Sequence, residues 1–133
     1  MSPPTVDTRF FLTHFLAESR DLKQKTARKI VELQRENAIV PTIVIHEVYK
    51  FVSENRGFEV ADLRVNSILN STFKLVDLQV PIAVAAARLR VQHRGLPTAD
   101  SIIAATALDA KSRRVISDDP HFSKIEGIKL EWI

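Results

Sequence analysis

Residues 98–117 read TADSIIAATALDAKSRRVIS, which predicts a helix followed directly by a strand. Thr98 is a favoured N-cap residue for a helix over 99–110, whose small and branched side chains suit close packing on a sheet. Residues 114–117 then have the branched apolar character of a strand. Because a parallel connection between strands needs a crossover, which a helix supplies, this stretch favours an α/β fold with parallel strands.

The same alternation of strand and helix extends through the rest of the chain. Hydrophobic spacing and turn residues predict further strands at 5–6, 38–40, 73–76 and 128–132, and further helices at 8–17, 21–37, 42–57, 59–70 and 81–95. We expect Thr42 to cap the third of these helices. Its predicted apolar side consists of Val44, Val48, Phe51 and Val52. The predicted buried stripe of the second helix consists of Leu22, Ala27, Ile30, Val31 and Gln34.

Length and composition indicate one globular domain over 1–133. The chain has 133 residues, of which 45% are hydrophobic and 26% charged, the balance of an ordinary folded protein. It has no cysteine, which excludes a disulfide scaffold, a thiolate metal site and thiol catalysis. The N-terminus lacks signal-peptide character and no run approaches the roughly 18 apolar residues of a membrane span, so we expect a cytoplasmic protein with no membrane association.

The basic residues are clustered, although the net charge is only +3. The clusters are Lys23 to Lys29, then Arg88, Arg90, His93 and Arg94, then Lys111, Arg113 and Arg114. Solvated helix faces and a surface for nucleic-acid phosphates explain such clusters equally well, and both interpretations stay open.

Four acidic residues occupy positions that a parallel sheet would bring to one edge. Asp7 follows the first strand, Glu47 lies early in the helix after the second, Asp100 lies in the first turn of its helix, and Asp119 follows the strand ending at Ser117. In an open parallel sheet, the carboxyl ends of strands and the amino ends of helices share the edge where ligands bind. The sequence therefore predicts that these four carboxylates converge.

Converging carboxylates repel one another, and a divalent cation removes that repulsion. Oxygen ligands select Mg²⁺ or Mn²⁺ rather than Zn²⁺, and such ions support phosphodiester hydrolysis. Each acid also has an ordinary structural alternative: a helix cap at Asp7, an exposed residue at Glu47, a helix-dipole partner at Asp100 and an Asp-Pro turn at Asp119. Only 16 of the 133 residues are acidic, so four acids at four such positions favour a metal site.

The segments around these acids resemble those of PIN domains, in particular the VapC-type toxins of prokaryotes. The matching segments are VDT at 6–8, IHEV at 45–48, PTADSIIAATA at 97–107 and VISDDPHF at 115–122. The resemblance implies a three-layer α/β/α sandwich with a short parallel sheet, a homodimer, and a metal-dependent endoribonuclease that cuts an RNA substrate and is restrained by a small antitoxin. It also implies that Asp7, Glu47, Asp100 and Asp119 are the catalytic and metal-binding residues.

Two positions need a choice or depart from the family pattern. Asp119 rather than Asp118 is taken as the fourth acid, because it has the register of the family motif. Arg9 stands where the family commonly has Asn or Ser, and an arginine there alters metal occupancy or reaches a phosphate.

Neighbouring polar residues are candidates for supporting the four acids. The hydroxyls of Thr8 and Ser117 and the carboxylate of Asp118 either steady the acids or serve as capping and turn groups. His14, His93 and His121 have no metal-ligand spacing and are left without a role. His46-Glu47 does not begin a zinc-protease motif, since Lys50 stands where the second histidine is needed.

The sequence is compatible with three functions. The protein is a ribonuclease toxin of a toxin–antitoxin pair, a nuclease of RNA maturation, or a degenerate domain that binds RNA or protein without cutting. Only Arg9 supports the last.

Overall fold

The computed structural model describes residues 2–133, which form five short strands and six α-helices. The strands are β1 Thr5–Val6, β2 Ile39–Pro41, β3 Lys74–Val76, β4 Arg114–Ile116 and β5 Lys129–Glu131. The helices are α1 Thr8–Phe15, α2 Arg20–Arg35, α3 Thr42–Arg56, α4 Phe58–Leu69, α5 Val80–Gln92 and α6 Thr98–Asp109. A 3-10 helix, Pro120–Lys124, connects β4 to β5. Most predicted boundaries lie within two residues of these; α5 ends earlier than Gly95, and the 3-10 helix was not predicted.

All five strands are parallel, in the order β3-β2-β1-β4-β5. Successive residues of a strand point to opposite faces of the sheet. Both Thr5 and Val6 in β1 are fully buried, as are Val115 and Ile116 in β4. Both faces of the central strands are therefore covered, which confirms the predicted three-layer α/β/α arrangement.

Helix α6 is the most buried helix, and its small side chains explain why. Every residue from Ser101 to Ala107 is buried. Alanines at 104, 105 and 107 let the helix lie close to the sheet and to its neighbouring helices. Burying Ile103, which is fully enclosed, contributes about 1.5–3 kcal/mol. This packing fixes the amino end of α6 beside the carboxyl ends of β1 and β4.

The predicted buried stripe of α2 was wrong in part. Val31 is 50% exposed and Ala27 is exposed, whereas Thr26 and Leu33 are the residues buried. Thr26 tolerates burial because its hydroxyl donates to the carbonyls of Leu22 or Lys23. A prediction from hydrophobic spacing alone does not identify a buried threonine whose hydroxyl is hydrogen-bonded within its own helix.

The predicted caps of two helices were also wrong. Pro41 and Pro97 are the N-cap residues of α3 and α6, and Thr42 and Thr98 are the first helical residues. Proline fixes its own φ and holds extended backbone before the helix, so the start moves one residue earlier than a threonine cap would place it. In α3, Phe51 was predicted on the apolar side but is 36% exposed.

Within residues 2–133, no helix combines the length and apolar character needed to cross a bilayer.

Candidate active site

Asp7 is the most enclosed of the four predicted acids. It lies between β1 and α1, is 2% exposed, and its carboxylate accepts a hydrogen bond of 2.6 Å from the hydroxyl of Ser117. Its backbone N–H donates to the carbonyl of Ile116 at 3.1 Å, which holds β1 against β4. The side chain makes no capping bond to α1, so the structural alternative of a helix cap does not explain it.

Glu47 is tied to the start of α1 by Thr8. The Thr8 hydroxyl donates to Glu47 Oε1 at 2.6 Å, and Thr8 itself is 4% exposed. This bond joins residues that are 39 positions apart in the chain. It fixes the Glu47 carboxylate on the side of α3 that faces Asp7.

Asp100 and Asp119 lie together with His121, a residue that the sequence left without a role. One ligand atom from each of these three side chains lies within 4.8 Å of the other two. In the described part of the chain, no other set of three or more histidine, aspartate or glutamate side chains is this close. Asp119 Oδ1 also accepts the backbone N–H of His121 at 2.9 Å, and His121 Nδ1 lies 3.1 Å from the same oxygen. The signal in the sequence was the Asp-Pro-His run, whose 3-10 turn places both side chains on one side.

The carboxylates of this site, hereafter the acid site (Asp7, Glu47, Asp100 and Asp119), interact electrostatically. Burial, and to a lesser extent the charges of Asp100 and Glu47, together raise the pKa of Asp7 to about 7, although the hydrogen bond from Ser117 opposes the shift. Burial, with the charges of Asp119 and Glu47, raises the pKa of Asp100 to about 6, while the charges of His121 and Arg9 oppose the shift. The four acids are therefore near enough for their charges to interact. Only Asp100 and Asp119 belong to the close group of three that includes His121.

Ser117 and Asp118 have distinct positions beside the acid site. The Ser117 hydroxyl donates to Asp7 and accepts the backbone N–H of Asp119 at 3.0 Å, so it links two of the acids. The carboxylate of Asp118 faces outward instead and accepts a 2.5 Å bond from Arg9 Nε.

One of the predicted basic clusters is placed away from the acid site. Arg114 begins β4, whereas Asp119 lies beyond its end. The Arg114 guanidinium binds Glu131 at 2.6 Å and Glu36 at 3.0 Å, so its charge is already paired. Arg114 is therefore a structural residue rather than part of a phosphate-binding surface.

The chemistry of the acid site fits a divalent cation. Burial and neighbouring negative charges raise the pKa of two of its carboxylates, Asp7 and Asp100, and a bound divalent cation would favour their ionised forms. Carboxylate oxygens are the ligands that Mg²⁺ and Mn²⁺ prefer, and an imidazole such as that of His121 is compatible with Mn²⁺.

Comparison with known proteins identifies the family. The PIN domain family model matches residues 5–128, so the chain belongs to the PIN domain family. No curated protein matches it in sequence.

Several solved structures share the fold at low sequence identity. One is VapC20 of Mycobacterium tuberculosis, a toxin that cleaves the sarcin-ricin loop: identity is 16% and TM-score 0.76, with 90% of this chain and 92% of that one covered. A second is DNA-bound VapBC from Salmonella typhimurium, with 17% identity and a TM-score of 0.75 over 99% of this chain and 98% of that one. A third is a toxin–antitoxin complex from Klebsiella pneumoniae, with 21% identity and a TM-score of 0.65 over 95% of each chain.

Proposed function

We propose that this PIN-domain protein is a metal-dependent endoribonuclease, the VapC-type toxin of a toxin–antitoxin pair. The observation that carries the proposal is the acid site, where buried and mutually repelling carboxylates stand at the edge of a PIN-family sheet. The similarity of the fold to the sarcin-ricin loop cleaving toxin VapC20 supports RNA as the substrate and a toxin as the biological role.

The residues that would hold the cation are Asp7, Glu47, Asp100 and Asp119, with His121 as an additional candidate. When bound, Mg²⁺ or Mn²⁺ supplies charge stabilisation and a more acidic water for hydrolysis of a phosphodiester. Thr8 fixes Glu47, and Ser117 fixes Asp7 relative to the backbone of Asp119. These hydroxyls keep the carboxylate oxygens directed into the site and reduce the freedom that would be lost on binding an ion.

Cleavage of single-stranded RNA by the purified protein tests the proposed activity. We expect cleavage with millimolar Mg²⁺ or Mn²⁺, loss of cleavage with EDTA, and at least a hundredfold lower rate in Asp7→Asn and Asp100→Asn. Glu126→Gln, an exposed carboxylate outside the acid site, is the matched control and should cleave normally. Cleavage that survives chelation and both substitutions would refute the assignment.

An antitoxin partner is part of the same proposal, supported by the fold similarity to the Klebsiella pneumoniae toxin–antitoxin complex. The test is co-expression with the product of a short adjacent reading frame. The two should co-purify, and that product should inhibit RNA cleavage. A chain that cleaves RNA and has no such neighbour would instead fit a role in RNA maturation.

A homodimer is supported by an exposed apolar stripe on α5. Positions 80, 84, 87 and 91 repeat at spacings of four, three and four, which places them on one helix face. Val80 is 77% exposed, Val84 53% and Val91 82%. Such a run of exposed valines is typical of a protein interface. Val84→Asp should give a monomer by sedimentation, whereas Leu63→Asp on α4 should leave the mass unchanged; a native monomer would contradict the dimer.

A further inference from the structure

Arg9 is the outward-facing residue of the first turn of α1. Its neighbours Thr8 and Phe10 are buried, while the Arg9 side chain is 53% exposed. It lies two residues after Asp7 in the chain, at the rim of the acid site. The arginine is therefore an accessible cation beside a group of carboxylates.

Asp118 holds the Arg9 guanidinium by one nitrogen. The bond joins Arg9 Nε to Asp118 Oδ1 at 2.5 Å and connects the start of α1 with the segment after β4. Within residues 2–133, the two terminal nitrogens of Arg9 donate to no protein acceptor. A guanidinium has five N–H donors, four of them on the terminal nitrogens, so most of its hydrogen-bonding capacity is directed elsewhere.

Stability does not account for this ion pair. Both side chains are well exposed, 53% for Arg9 and 39% for Asp118, and exposed pairs contribute about 0–1 kcal/mol. The pair does fix the plane and direction of the guanidinium, because Nε bonding restrains the final torsions of the side chain. An oriented guanidinium with free terminal nitrogens matches two oxygens of a phosphate group.

The surroundings of Arg9 indicate where that phosphate lies. The acid site repels the backbone of an approaching nucleic acid, and Arg9 is near enough to Asp119, Asp7 and Asp100 to interact with their charges. A cation at the rim offsets that repulsion at the place where a phosphodiester enters.

We propose that Arg9, oriented through Nε by Asp118, binds a backbone phosphate of single-stranded RNA at the rim of the acid site. This inference rests on the proposed ribonuclease function and names a substrate-positioning residue for it.

Binding of a fluorescent single-stranded RNA without divalent metal tests the proposal. Fluorescence anisotropy is measured in EDTA over a range of KCl concentrations, in an Asp100→Asn background that prevents residual cleavage. Arg9→Gln should weaken binding about tenfold. It should also reduce the slope of log affinity against log salt by about 0.7, the value for one phosphate contact on a single strand.

Two further variants separate charge from geometry. Arg35→Gln removes one exposed arginine at the end of α2, away from the acid site, and should change neither affinity nor slope by a comparable amount. Arg9→Lys keeps the charge but loses the planar fork, so it should retain the salt slope and bind with intermediate affinity. Circular dichroism checks that each variant folds.

The role of Asp118 is tested by a double-mutant cycle. If Asp118 orients Arg9, Arg9→Gln should have a smaller effect in an Asp118→Asn background than alone. A larger effect there would show that Asp118 merely neutralises Arg9 and would overturn the orienting role. Arg9→Gln that binds RNA as Arg35→Gln does, with only Mn²⁺ affinity changed, would show a counter-ion of the carboxylates and overturn the proposal. Failure of the native protein and every variant to bind RNA in EDTA would overturn the proposed phosphate contact, whereas the proposed function is refuted only by the cleavage assay.

Discussion

The two ends of β4 carry charged clusters with opposite electrostatics. At its start, Arg114 lies between Glu36 and Glu131, and this Arg114 cluster places each charge beside an opposite one. The hydrogen bond from Arg114 lowers the pKa of Glu131, and the pKa of Arg114 is itself raised. Beyond its end, the acid site places like charges together, and burial together with these charges raises the pKa values of Asp7 and Asp100.

The two ends of β4 differ in how far their charges are neutralised by residues of the same chain. The Arg114 cluster satisfies its charges with residues of the same chain, so it contributes to folding. The acid site places four carboxylates together with only partial compensation from Arg9 and His121, an arrangement that lowers stability and is common at functional sites. The raised pKa values of Asp7 and Asp100 therefore support the proposal that the functional site lies at the end of β4.

Substitution of Asp7 should change the stability of the metal-free protein more than any other substitution at either end of β4. Its pKa is about 7 in the folded state against an ordinary value of 3.8, so at pH values between the two the folded state keeps a proton that the unfolded chain has released. The contribution of this proton to the free energy of unfolding is fully present below about pH 4 and is lost as the pH rises to about 7. Asp7→Asn should remove this loss and raise the free energy of unfolding at pH 8 by roughly 2–4 kcal/mol.

Urea unfolding in EDTA at pH 5 and pH 8 measures this effect. Glu126→Gln, an exposed carboxylate, serves as the control and should change neither value by more than about 0.5 kcal/mol. Equal stability of native protein and Asp7→Asn at pH 8 would show that the acid site imposes no electrostatic cost.

The opposite result is expected at Arg114. Arg114→Ala leaves Glu36 and Glu131 without their cation, both about one-third exposed, and should destabilise the fold by roughly 1–3 kcal/mol. Lys50→Ala, which removes an exposed partner of Glu54, should cost less than about 0.5 kcal/mol. Similar losses for the two variants in urea unfolding would mean that the Arg114 cluster is no more than a surface pair.

The residues that were predicted well are those with strong local patterns. Helix α6 was recognised from its small and branched side chains, and the central strands from their apolar runs, because burial on both faces of a parallel sheet is visible in composition alone. The four acids were placed at one edge by topology. That reasoning needs only the order of strands and helices.

The errors had two sources: local effects that a hydrophobic pattern does not show, and contacts between residues distant in the chain. Thr26 is buried because its hydroxyl is satisfied within α2, and proline moved the starts of α3 and α6. His121 was missed because its closeness to Asp100 depends on the 3-10 turn after β4, which has no hydrophobic period. The bond between Arg9 and Asp118 spans 109 residues and could not be read from spacing.

Substitution of His121 should have a smaller effect than the substitutions above, and it tests whether the imidazole is a metal ligand. If its imidazole is a ligand, His121→Asn should lower affinity for Mn²⁺ about threefold to tenfold and affect Mg²⁺ less, because nitrogen ligands favour the transition metal. His93→Asn is the control. Free Mn²⁺ measured by electron paramagnetic resonance, with Mg²⁺ as competitor, provides both affinities. An unchanged Mn²⁺ affinity would restrict His121 to supporting Asp119.

Thermal melting with added Mn²⁺ tests most directly whether the acid site is built around a cation. A ligand that binds only the folded state raises its stability, by about 2.7 kcal/mol at a hundredfold excess over Kd. At pH 7.5 the native protein should melt about 5 °C or more higher in millimolar Mn²⁺ than in EDTA, and Asp119→Asn should lose most of that rise. A melting temperature of the native protein that is the same in Mn²⁺ and in EDTA would contradict a cation site formed by these carboxylates.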